Sequence, residues 1–111
     1  MKIQQHRHGA VAVVKPTGAV AGEDADRVRD ALVAARTEAL GRVLLDLTAA
    51  TLLDSRCLEV LLELSELQAE GGRTLKVCGL RPVIREVLEL TGVAASVEIF
   101  DEPGSAVRSF R

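Results

Sequence analysis

The hydrophobic positions of this chain follow two rhythms in turn. "MKIQQHRH" and "AVAVVKPTG", on either side of Gly9, read as two extended segments joined by a tight turn, the second the more apolar. Pro16, Thr17 and Gly18 read as the stop of that second strand. From Glu23 to Leu40 the period lengthens. Val28, Leu32, Ala35 and Ala39 recur at helical steps while most charges fall elsewhere, and Gly41 stands where a helix-ending glycine belongs. "RVLLDL" is apolar on both faces, as in a central parallel strand. A loop from Thr48 then leads to a second helix over Ser55 to Glu70, closed by Gly71 and Gly72. "TLKVCG" is the next strand, and Pro82 opens a third helix through Leu90 with Gly92 behind it. "SVEIF" is a last strand, and "EPGSAVRSFR" adds a short final helix.

Strands alternating with helices predict an α/β fold. We expect a mixed, mostly parallel sheet with an N-terminal antiparallel hairpin and helices packed on it. The 111 residues suit one domain, 1–111. Fourteen basic and sixteen acidic side chains give a net charge of −2, which speaks against nucleic acid as a partner. The two aromatics, Phe100 and Phe110, offer no stacking platform for bases. Nothing at the N-terminus resembles a signal peptide, and no apolar run is long enough to span a bilayer. A cytoplasmic protein with no direct membrane insertion is the expectation, with Cys57 and Cys78 as reduced thiols.

Enzyme chemistry finds little support. His6 and His8 share a strand face but lack a nearby Cys, Asp or Glu to complete a metal site. Neither a P-loop nor G-x-G-x-x-G is present, and Ser55 has no histidine nearby in sequence to serve as its base. Asp46 and Asp54 could be imagined as a carboxylate pair, yet the first reads as the end of a buried strand and the second as a helix cap. No catalytic residue, cofactor or metal is predicted.

The second helix carries the sharper signal. Leu58, Val60, Leu61, Leu62, Leu64 and Leu67 supply a wide apolar surface for the sheet. Arg56, Glu59, Glu63, Glu66 and Glu70 step by three and four residues and form one stripe. Four like charges repel one another, so a partner carrying basic residues would gain by docking there. Asp54 stands directly before the helix, where a carboxylate accepts from free backbone N–H groups and suits the positive helix end.

"VLLDLTAATLLDSRCLEVLLEL" resembles the core segment of a STAS domain, in which a buried strand ending Asp-Leu-Ser/Thr leads to Asp-Ser-Ser-Gly-Leu at the start of the second helix. "GGRTLKVCGLRPVIREVLELTGV" and "SVEIFDEPGSAVRSF" are similar to the family's next strand, its helix ending Leu-Thr-Gly, and its terminal strand and helix. The resemblance implies a non-catalytic anti-sigma-factor antagonist. Such a protein binds an anti-sigma factor/serine kinase until phosphorylation of the second serine adds charge and disrupts docking. A STAS subunit of a lipid-transport ABC complex or of a stressosome-like assembly is the alternative it allows. A small-molecule-binding or enzymatic α/β domain is a third.

On the family pattern Asp54 and Ser55 match, Arg56 occupies the phosphoacceptor position, and Cys57 replaces the glycine. Arginine cannot accept phosphate, so the resemblance implies a binder without the usual switch, with Ser55 a fallback acceptor. Ser55 is rotated by roughly 100 degrees from the family position, and its hydroxyl is expected to bond to the helix start. The implied partner-binding residues are Asp54, Ser55, Arg56, Cys57, Glu59 and Glu63. Ala19 and Ala21 stand where the family carries carboxylates, and Glu23 and Asp24 are the nearby substitutes.

Overall fold

A computed structural model describes residues 1–110. Chain order is β1 (Lys2–His8), β2 (Val11–Val20), α1 (Glu23–Glu38), β3 (Val43–Asp46), β4 (Ala50–Leu53) and α2 (Ser55–Glu70). There follow β5 (Leu75–Cys78), α3 (Pro82–Leu90), a 3₁₀ turn (Val93–Ser96), β6 (Val97–Phe100) and α4 (Pro103–Arg108). The sheet runs β1-β2-β3-β5-β6, with β4 also on β2. β1 and β2 are antiparallel and every other pair is parallel, as the alternation of elements predicts.

Two expectations about the strands need correction. Pro16-Thr17-Gly18 does not stop β2, which continues to Val20. The strand pairs with β3 through Ala12–Val14 and with β4 through Gly18–Val20, so Pro16 falls between two parallel partners, where its missing N–H is not required. The register shifts between Gly18 and Ala19, and Gly18 takes φ 91°, a value glycine adopts without strain. The supposed loop before α2 also contains a strand, β4. Asp54 N–H extends its pairing with β2 by donating to the Val20 carbonyl at 3.3 Å.

The main core lies between one sheet face and the helices, where Val14, Leu45 and Val77 meet Val28, Leu32, Leu61 and Leu64. Leu62, assigned by its apolar character to the sheet-facing set, is 39% exposed instead. α4 covers part of the opposite face, over Val11, Val13, Leu44 and Cys78. There the Lys76 ammonium bonds the Ser109 hydroxyl at 2.7 Å and lies 4.3 Å from the Phe110 ring centre. No helix among the described residues is long and apolar enough to cross a membrane.

Candidate partner-binding site at the start of the second helix

Asp54 is extended and α2 begins immediately after it. One carboxylate oxygen accepts from Cys57 N–H at 2.9 Å, which caps the helix, and the other accepts from Gly22 N–H at 2.8 Å. Gly22 precedes α1 with φ 56° and ψ −126°, a conformation that disfavours any side chain. One side chain therefore fixes the starts of both helices. The Cys57 and Gly22 N–H groups hold its pKa below the ordinary carboxylate range.

Arg56 adds a second tie. Its Nε and Nη2 donate to Asp26 Oδ1 of α1 at 3.0 and 2.6 Å, and Nη1 donates to Glu59 Oε2 at 2.9 Å. These carboxylates raise its pKa further. The guanidinium thus meets the first glutamate of the acidic stripe and also turns toward α1. The α1 acid that reaches it is Asp26, while Asp24 pairs with Arg27 at 3.3 Å.

Cys57 is 1% exposed, so its side chain belongs to the core and not to a contact surface. Burial and the nearby Asp54 charge push its thiol up to about 12, which removes the reactivity that a helix start could confer. Cys78 is buried beside Asp46 and is likewise pushed up to about 12. Asp46 is itself occupied, accepting from Thr48 N–H at 2.9 Å and from its hydroxyl at 2.5 Å. Ser55 is exposed and its hydroxyl does not bond the helix start, because Asp54 takes that place. Glu59, Glu63, Glu66 and Glu70 are all exposed, and the last three have no ion pair among the described residues. His6 and His8 lie with ring centres 5.8 Å apart, and the described residues contain no cluster of three metal-ligating side chains.

Sequence reasoning missed an apolar groove beside this surface. Leu52 and Val83, 53% and 59% exposed, line a cleft of about 80 Å³ between β4 and α3 together with Ile84 and Val87.

Residues 2–106 match the family model for the STAS domain. The chain belongs to the STAS family. Among solved structures, this STAS domain is similar to an anti-sigma factor antagonist from Mycobacterium paratuberculosis, at TM-score 0.84 and 21% identity over 97% of this chain and 92% of that one. It also resembles the anti-sigma factor antagonist SpoIIAA in its unphosphorylated form, at TM-score 0.76 and 14% identity, covering 96% of this chain and 95% of that one. Phosphorylated SpoIIAA, described as a Bacillus cell fate determinant, gives 0.72 and 13% over 98% and 100%. The murine anion transporter Slc26a9 gives 0.76 and 14%, covering 93% of this chain and 18% of that one. Comparison with curated proteins finds no match.

Proposed function

We propose that this STAS domain is a non-catalytic regulator of the anti-sigma-factor antagonist type, which binds its partner through the start and exposed face of α2 and lacks the serine phospho-switch. The observation that carries this reading is Arg56. It stands at the family's phosphoacceptor position, and its guanidinium is bound to Asp26 and Glu59. A serine there presents a hydroxyl that a kinase can charge; this side chain instead closes the two helices on each other. Ser55, Glu59 and Glu63 remain exposed for a partner, and the Leu52–Val83 groove can receive an apolar side chain beside them. The partner's matching face is basic around an apolar residue. An anti-sigma factor with serine-kinase activity is the class that the family relationship supports.

The test is a pull-down with the full chain, with captured proteins identified by mass spectrometry and binding repeated with Glu59→Lys and Glu63→Lys. Capture of an ATPase-fold kinase that the charge reversals release supports the reading. Capture of transporter subunits instead favours the alternative of a STAS subunit in a lipid-transport ABC complex. Binding of the kinase undiminished by both reversals would place the interface elsewhere.

A further inference from the structure

The opposite end of the α1–α2 pair carries a cleft of about 290 Å³, close to the lower size of ordinary small-ligand sites. Its walls include Arg36, Leu40, Gly41, Gln68 and Arg73. Arg36 is fixed in place: Nε donates to Gln68 Oε1 and Nη2 to the Leu67 carbonyl, both at 3.0 Å. Gln68 is buried and in turn donates from Nε2 to the Gly41 carbonyl at 2.9 Å. Arg73 runs directly over Gly41, where an added Cβ would lie 2.7 Å from Arg73 Cδ. Leu40 is held at φ 55°, outside the range that branched or bulky residues favour, and puts a 75% exposed apolar side chain on the lip.

Hydrogen-bonding capacity in this cleft is unbalanced. Arg36 Nη1 and the whole Arg73 guanidinium have no hydrogen-bond or ion-pair partner among the described residues. No carboxylate is among the residues that line the cleft. Helix C-termini ordinarily repel anions, but several closing carbonyls here are already bonded. Arg36 O accepts from Gly41 N–H, Gln68 O from Gly71 and Arg73 N–H, and Ala69 O from Gly72 N–H. What is left over is donors, in a fork geometry that matches oxyanions.

We propose that this cleft binds a small organic oxyanion, a carboxylate or phosphate group on a molecule of few atoms, held between Arg36 and Arg73 with its apolar part against Leu40. The site is separate from the partner surface at the other end of the helices and stands or falls without it. The experiment titrates the full chain with inorganic phosphate and, separately, succinate, following backbone amide and arginine Nε–H resonances. The account expects saturable shifts at Gly41 and Arg73 with at least one probe, half-saturating near about 1 mM and weakening with added salt. Arg73→Glu should weaken binding at least about tenfold. Arg73→Gln, which keeps the size, tests the same loss should the reversal disturb folding, and Lys2→Gln, which removes a positive charge from the exposed strand β1, should leave binding unchanged. Response to only one probe identifies carboxylate or phosphate as the preferred group. Absence of saturable shifts with both probes, or equal binding by a folded Arg73→Gln, overturns the proposal.

Discussion

The two ends of the α1–α2 pair use arginine in opposite ways. At the starts, Arg56 satisfies Asp26 and Glu59, and Asp54 satisfies Gly22 and Cys57, so charge and hydrogen bonding close on themselves. At the other end Arg36 is anchored by uncharged groups, and Arg73 has no ion-pair partner among the described residues. Each end is a tie between the same two helices. Only one leaves strong donors unspent. An arginine's role is thus decided by the acceptors that the fold brings to it: Arg56 spends its donors on Asp26 and Glu59.

Breaking the ties separates the two ends. Gln68→Leu should have the largest effect, because it removes a buried group that accepts from Arg36 and donates to Gly41. A loss of about 2 kcal/mol is expected in chemical denaturation, and an unchanged midpoint would show that the network carries no stability. Arg56→Glu comes next. It sets a third carboxylate beside Asp26 and Glu59 and should lower the melting temperature by about 5 °C, whereas Arg56→Ser should cost about 2 °C or less. Equal melting temperatures for the two variants would mean that Arg56 does not hold the helices together.

The smallest effect is one of pH. Asp54 titrates below its unfolded value, so its contribution is fully present above about pH 4. It is lost as pH falls through the folded-state pKa. Asp54→Asn should flatten the acid limb of the stability profile and leave the Gln68 tie intact. An identical acid limb in the variant would remove Asp54 from the account.

Much of this was legible in the sequence, because its signals were local. Asp54 before an apolar-periodic run, Pro82 at a first turn and Gly71 after Glu70 each correspond to a helix boundary in the structure. The glycine-marked hairpin and the doubly apolar β3 were equally direct. What could not be read depended on contacts made by folding. Asp26 lies thirty residues before Arg56, and no spacing rule joins them. Pro16-Thr17-Gly18 carries the chemistry of a turn, yet the change of partner from β3 to β4 makes it the middle of a strand. Cys57 looked like a surface substitution because glycine is replaced at a binding motif, but its place in the first turn of α2 directs it into the core.

The most direct test of the central claim is phosphate mapping. The full chain and Arg56→Ser would each be incubated with ATP and the serine kinase recovered by pull-down, then digested and sequenced by mass spectrometry while partner release is followed. The account predicts that the native chain stays bound without phosphate between Thr48 and Cys57, and that Arg56→Ser takes up phosphate at the new serine and dissociates. Stoichiometric phosphate on Ser55 of the native chain, with release of the partner, would contradict it.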